Sequence, residues 1–404
     1  MTERQIVLFD DRIARDWMPF TNTRPAGELW FGAMSLRERA ERVLGGRCLG
    51  HITRDELATF DEHDAAPVLD RVPSGSPVIL LCSRVVLDWN FRFEEPAGLS
   101  PLTMDGQVVG WFIPAGEAAP EPAELLELPT AQGDAIALAG RMLHEIWELM
   151  SGSSAQTAFD IDSLFPRHKT DAPAFNGLNW IGEPHLALAS DVRIEPGVVF
   201  DFTSGPIWLD RGVVIRAFTR LAGPSYIGRG TTLLGGSFSG VTAGPQCKLR
   251  GELEETVVLG YSNKAHDGFM GHAYIGRWVN LGALTTNSDL KNNYSKVRVW
   301  TPGGDRNTGE KKIGCFLGDH VKTGIGSLLN TGTVIGTGSN LFGPEMPAKY
   351  VPPFCWGNRS HVTSYDLDRF LETAEIVMSR RGVQLTDGTR RVLERAWHRA
   401  RAET

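Results

Sequence analysis

The stretch FLGDHVKTGIGSLLNTGTVIGTGSNLFG, residues Phe316 to Gly343, decides the fold. Leu317, Thr323, Leu329, Ile335 and Leu341 fall six residues apart in one unbroken phase, and four of the five are aliphatic. Helices repeat every 3.6 residues and strands every 2, so neither generates this period. A six-residue repeat with one inward aliphatic side chain marks a β-helix solenoid, in which three hexads close one triangular coil. Glycine and small residues fit the corners. Residues 301–350 hold 11 of the chain's 45 glycines, twice its average density. Antiparallel hairpins would not hold the phase over such a length.

Working outward, pieces of the same register appear in Val192/Val198, Ile207/Val213, Ile227/Leu233 and Ile275/Leu281. The phase breaks between Asn287 and Lys312, where NSDLKNNYSKVRVWTPGGDRNTGEKK is too polar for a coil core. That segment reads as a loop thrust out of the solenoid, the usual place for binding residues in repeat proteins. Beyond YVPPFCWG the pattern turns helical, with Ser364 as the expected N-cap and Gly382 as a break between two helices. Such a tail would cover the last coil.

Upstream, QIVLFDD and SPVILLCS read as buried strands, and SLRERAERVLGG as a helix ending at Gly45 and Gly46. This alternation predicts an α/β layer. Following a linker at AAPEPAE, the segment TAQGDAIALAGRMLHEIWELM (Thr130 to Met150) has the apolar spacing of a helix. With 404 residues, two domains and an appendage are expected. The divisions are an α/β domain over 1–127, a helical connector over 128–185, the β-helix over 186–357 and a helical C-terminal cap over 358–404.

A net charge of −7 argues against nucleic acid as a partner, because phosphate-backbone affinity needs clustered Lys and Arg. The longest apolar runs, such as Val78 to Cys82, fall far short of the roughly 20 residues that span a bilayer. MTERQIVLFDD lacks the apolar run of a signal peptide. Cys48, Cys82, Cys247, Cys315 and Cys355 form no CxxC pair and are odd in number, so neither a disulfide framework nor a cysteine zinc site is expected. These features together predict a cytoplasmic protein.

The stretch from Cys247 to Gly343 resembles the acetyltransferase half of a known family, and KLRGELEETVVLGYSNKAHDGFMGHAYIGRWVNLGALTTNSDLKNNY (Lys248 to Tyr294) carries the likeness. This is the bacterial bifunctional UDP-N-acetylglucosamine pyrophosphorylase/glucosamine-1-phosphate acetyltransferase family. The likeness is greatest to a divergent branch of sugar nucleotidyltransferases with a shortened N-terminal domain. In that family SKAGH carries the catalytic histidine and VNIGAGT an asparagine beside the reacting amine; NKAHDG here supplies His266, and VNLGALT supplies Asn280. The chemistry suits these residue types. An amine attacking a thioester must lose a proton, which histidine accepts near neutral pH, and the oxyanion needs amide donors. His272, six residues on, is the rival base.

The resemblance implies acetyl-CoA as co-substrate, with contacts near Ala283, Ile325 and Gly343, and a sugar phosphate as acceptor. Lys264, Asn292, Asn293, Tyr294 and Lys296 lie in the matching segments, and Arg220 or Arg250 stands where the family places a phosphate-binding arginine. One departure concerns the acceptor: the family's VEVKK is ELEET here, so Glu254 and Glu255 replace cations. The family's solenoids pack as homotrimers, which the resemblance implies for this chain as well.

The N-terminal segment VLFDDRIARDWMPFTNTRPAGELWFGAMSLRERAERVL resembles the opening of sugar nucleotidyltransferases, GxGTR…LxPLT…KPL. Arg15, Pro19, Phe20 and Thr21 keep the frame, and Arg24-Pro25 stands for Lys-Pro. The glycine-rich phosphate turn is replaced by FDDRIARD, and the later metal-binding GD by CSRVVLD, with Arg84 near its place. Asp10 and Asp11 at the strand's end are the candidate ligands for Mg2+, and a nucleoside triphosphate would be the partner. Three readings stay open: an acetyl-CoA-dependent acyltransferase on an amino-sugar-1-phosphate type of acceptor, in nucleotide-sugar and cell-envelope biosynthesis; a nucleotidyltransferase whose β-helix mainly trimerises; and a structural or ligand-sensing protein without either activity.

Overall fold

A computed structural model describes residues 3–166 and 177–402. The chain forms two compact units, one of Met1–Trp30, Met34–Ile146 and Thr386–Arg399, the other of Phe31–Ala33, Trp147–Leu385 and Ala400–Thr404.

The first unit is an α/β layer. Strand β1 (Arg4–Phe9) leads to helix α1 (Leu36–Leu44) and strand β2 (Gly46–Ile52), followed by β3 (Val78–Cys82), β4 (Ser100–Met104), β5 (Gln107–Ile113) and β6 (Ile136–Ala137). They pair in the order β2-β1-β3-β5-β4-β6, with β1 parallel to both its neighbours and β5 antiparallel to β3 and β4. Ser35 and Glu38 close a capping box on α1, and Gly45 ends the helix at φ 65°, as the sequence suggests. Val78 to Cys82 are buried throughout, which accounts for their unbroken apolar run.

The helix expected over 130–150 does not form. The segment is helical only at its end, in the short Glu148–Ser151 turn, and Gly140, Arg141 and Met142 pair antiparallel with Leu87, Val86 and Val85. Gly140 sits at φ 150°, and a Cβ there would meet the Val86 carbonyl oxygen at 2.2 Å. A free strand edge thus outweighs the local helical spacing. Helix α2 (Ser153–Leu164) follows, so only this part of the expected 128–185 connector is a long helix; its residues 167–176 lie outside the described residues.

The second unit is a left-handed parallel β-helix. Its inward columns are continuous: Leu209, Ile227, Ala243, Val258, Ile275, Leu317, Ile335 and Val351 stack coil upon coil on one side. Leu281, Thr323 and Leu341 stack on the second side, and Asn287 with Leu329 on the third. The six-residue ladder is therefore one residue per side, and Leu317, Thr323, Leu329, Ile335 and Leu341 are all buried. Because each coil touches chiefly its neighbours, an internal cavity is felt locally and cannot be shared across a wide core. Ile335→Ala should destabilise this unit by about 2–5 kcal/mol, read from a chemical-denaturation midpoint.

Between Asn287 and Cys315 the chain leaves the solenoid, while Ile275 and Leu317 on either side stay direct partners. The excursion folds as an antiparallel hairpin of β7 (Arg298–Thr301) and β8 (Gly304–Asn307), where the polar loop was expected. Trp300 stacks on Tyr350 with centroids 3.5 Å apart and rings 8° from parallel.

Helix α3 (Leu367–Ser379) is capped by Asp366, whose carboxylate accepts from the Arg369 amide. Ser364, the expected cap, instead lies in a strand paired with Cys355. The tail also does more than cover the last coil. Phe370 packs edge-on against Phe354, while Met378 clusters with Tyr261 and Trp278 several coils away. Helix α3 thus lies along the flank of the solenoid. Gly382 (φ 70°) separates it from α4 (Asp387–Ala402), whose Val392 packs with Leu57 and Phe60 within the first unit. Among the described residues, no helix is long and apolar enough to cross a membrane.

Candidate active site

A cavity of about 520 Å³ opens on the flank of the β-helix. Its floor follows from strand register: Lys248, Asn263, Asn280 and Lys322 are successive outward partners on one face. His266, Ala283 and Ile325 line it on the solenoid side, and Val377, Arg380 and Arg381 at the end of α3 line it as well. Four residues singled out from separate stretches of sequence, His266, Asn280, Ala283 and Ile325, therefore meet in one cavity.

The polar contacts at the cavity are sparse. The Asn263 amide donates to Asn280 Oδ1 at 3.4 Å, and Arg381 donates to Asn263 Oδ1. The Lys322 ammonium donates to the His320 carbonyl at 3.1 Å, and burial pushes its pKa down to about 8. His266 is exposed, with an imidazole free of protein hydrogen bonds among the described residues. Its carbonyl accepts from Lys264 Nζ at 2.8 Å. Among the described residues, no carboxylate lines the cavity.

Other expected site residues lie elsewhere. Lys264 occupies an inward ladder position, paired with Leu249; its stem is buried and its ammonium is held by the Arg250 and His266 carbonyls. Burial lowers its pKa to about 8. Arg220 is paired with Asp201, and Arg250 with Asp267 at 3.0 Å. Asn292, Asn293, Tyr294 and Lys296 are exposed on the excursion and do not line the cavity. Gly343, at φ 101°, abuts Asn358 outside it.

The rival histidine is engaged internally. His272 Nδ1 lies 2.8 Å from Asp289 Oδ2, both side chains 13% exposed, and this imidazole holds the Asp289 carboxyl below the usual range. Glu254 pairs with Lys312 at 2.9 Å. Burial raises the Glu255 pKa, opposed by a hydrogen bond with Ser154. Neither glutamate lines the cavity, so the charge reversal that set this sequence apart does not act there. What the sequence reading missed is the contribution of Lys322, Arg380 and Arg381. The two arginines stand more than a hundred residues from Asn263, with no local motif to link them.

The nucleotidyl-domain candidates form a buried network. Asp10 accepts from Ser83 Oγ and Thr53 Oγ1, both at 2.6 Å, and from the Ala26 amide at 3.1 Å. Asp11 accepts from Arg84 Nε and Nη2 at 2.9 and 2.6 Å and caps the Ala14 amide. Arg24 makes a two-bond pair with Glu62, and Arg15 donates to the Asp10 and Thr53 carbonyls. Magnesium requires open oxygen ligands. Here the oxygens of Asp10 and Asp11 already accept from protein donors, and a guanidinium sits on Asp11. The residues present do not fit a metal, and no cluster of three or more ligating side chains occurs among the described residues.

An α/β unit followed by a left-handed β-helix defines a hexapeptide-repeat protein with an α/β domain in front. Residues 6–168 match the sugar nucleotidyl transferase family. Over 91 residues the chain is 32% identical to a bifunctional sugar-1-phosphate nucleotidylyltransferase/acetyltransferase of Sulfurisphaera tokodaii. The match covers 22% of this chain and spans 23% of that relative's length. These likenesses relate the chain to the broad family of sugar nucleotidyltransferases. Among solved structures, the Arabidopsis UDP-N-acetylglucosamine acyltransferase is 13% identical, at a TM-score of 0.30, over 51% of this chain and 78% of that one. An acetyltransferase of Bacillus cereus is 14% identical, at 0.21, over 56% and 99%.

Proposed function

We propose that the second unit is an acetyl-CoA-dependent acyltransferase whose acceptor is a sugar phosphate of the amino-sugar-1-phosphate type. The observation that carries this reading is the convergence of His266 and Asn280 with Ala283 and Ile325 in a cavity lined by cations and no carboxylate. His266 takes the proton as the acceptor amine attacks the thioester carbonyl. The Asn280 amide is the donor available to the oxyanion of the tetrahedral intermediate. Collapse breaks the carbon–sulfur bond, and the proton leaves with the thiol as free CoA, yielding the amide. The test is thiol release from acetyl-CoA, measured with a thiol reagent across a panel of amino-sugar phosphates. Turnover with at least one acceptor is expected, and none across the panel refutes the reading.

A pH dependence follows from Lys322. At neutral pH its ammonium is mostly charged, and it loses its proton as the pH rises through about 8. CoA affinity measured calorimetrically should therefore fall between pH 7 and 9, and the Lys322→Ala variant should lose that part of the slope.

The match over residues 6–168 favours a second reading, nucleotidyl transfer in the first unit, with Mg2+ and a nucleoside triphosphate. It predicts Mg2+-dependent pyrophosphate release, against which the buried network of Asp10, Asp11, Arg24 and Arg84 weighs. A homotrimer belongs to the leading proposal. Leu284 and Ile325, 58% and 79% exposed on one edge of the β-helix, supply apolar surface that a second copy would cover.

A further inference from the structure

We infer that the C-terminal turn of α3 is a phosphate clamp, in which Arg380 and Arg381 join Lys248 and Lys322 to bind a phosphate or pyrophosphate group in the cavity. The turn's position is fixed by an unusual corner of the β-helix. Tyr261, Trp278, His320 and Phe354 occupy the same corner of the coils, all at φ between 56° and 63°. Bulky residues rarely adopt this left-handed conformation. Here the side chains form an aromatic seat: Tyr261 and Trp278 stack at 4.4 Å, and His320 and Phe354 meet Phe370 of α3 edge-on. Met378, Val377, Val383 and Leu385 complete the contact around Tyr261 and Trp278. Packing at both ends of α3 thus delivers the two arginines to the cavity.

The bland role of cations in this turn is to offset the helix dipole. Three observations go beyond it. Arg381, just past the helix end, reaches Asn263 Oδ1 on the β-helix, and its buried Nε has no hydrogen-bond partner among the described residues. Lys322 is desolvated with a backbone carbonyl as its acceptor and, among the described residues, no carboxylate paired with it. Four cations line one cavity with no acidic residue among the lining. Like charges gathered in one cavity, the desolvated Lys322 among them, repel one another, and an anion with several oxygens relieves that repulsion while giving the Arg381 Nε donor an acceptor. A phosphate ester or diphosphate has this chemistry, and within the acyl-transfer reading, on which the ligand's name rests, it belongs either to CoA or to the acceptor.

The test is calorimetric titration of the full chain with inorganic pyrophosphate, CoA and glucosamine-1-phosphate, for the wild type and for Arg380→Ala, Arg381→Ala and Arg380→Lys. Arg380 is exposed, so its replacement spares the fold even where Arg381→Ala loosens α3. Each alanine change should weaken at least one ligand about tenfold or more, with partial rescue by lysine. Weakening of CoA alone assigns the phosphate to the co-substrate, and weakening of the sugar phosphate alone assigns it to the acceptor. Unchanged affinity for all three, or no binding of any to the wild type, overturns the clamp. Arginine-dependent pyrophosphate binding without thiol release would keep the clamp and reject the acyltransferase. Thiol release whose KM values ignore both arginines would do the reverse.

Discussion

Replacing His266 by alanine should lower the turnover of acetyl-CoA about 10²- to 10⁴-fold, the usual loss on removing a general base. The melting temperature should barely move. The side chain is exposed and its ring makes no hydrogen bond within the protein among the described residues, so its removal empties no core. The fall should appear in kcat with KM for acetyl-CoA little changed, because proton removal belongs to the transition state. His272→Ala should show the opposite profile. It strips Asp289 of its imidazole partner at 2.8 Å, a stability effect, and leaves turnover near the wild-type value. Wild-type kcat in His266→Ala together with a collapse in His272→Ala would move the base to the rival histidine.

Asp11→Ala carries the second large effect, on stability. Arg84 is 2% exposed and directs Nε and Nη2 at Asp11, so the change leaves a guanidinium buried without its counter-charge. Breaking such a pair costs about 3–5 kcal/mol, which should appear as a lowered melting transition of the first unit. Aspartates gathered to hold a metal behave otherwise: they repel in its absence, and adding the ion raises the melting temperature by mass action. For the wild type, Mg2+ should leave the transition where it is. A rise of several degrees with Mg2+, or an Asp11→Ala protein as stable as the parent, would restore the metal-site reading.

Much of the fold was legible because coil geometry writes itself into sequence wherever coils keep their full length. Leu317 and Ile335 are 18 residues apart and paired, so the period shows. Ala243 and Val258 are also paired but only 15 apart, and there the register is hidden although the packing is the same. The helix expected over 130–150 failed for a different reason: its apolar spacing was real, but the exposed edge at Val85–Leu87 captured it. His266 and Asn280, singled out from local motifs, both line the cavity. Lys264 could not be sorted from a ligand-binding lysine, because only the pairing with Leu249 reveals that it points inward. Asp10 and Asp11 read as metal ligands for the same reason, their partners Ser83 and Arg84 being 73 residues away in the chain.

The excursion between Asn287 and Cys315 bears on how this molecule can change. Its two ends meet each other, the Ile313 amide donating to the Asp289 carbonyl, and the coils on either side are direct neighbours, Ile275 beside Leu317 and Asn280 beside Lys322. The coils above and below it are therefore in register whatever lies between. Closing a longer or shorter loop alters the free energy by only about 0.6 kcal/mol per doubling of its length. The hairpin is in this sense a cassette: a lineage, or a designer, can exchange it while the scaffold keeps its phase, provided its joints are rebuilt, among them Trp300 on Tyr350, Arg306 over Trp147 and Lys312 with Glu254.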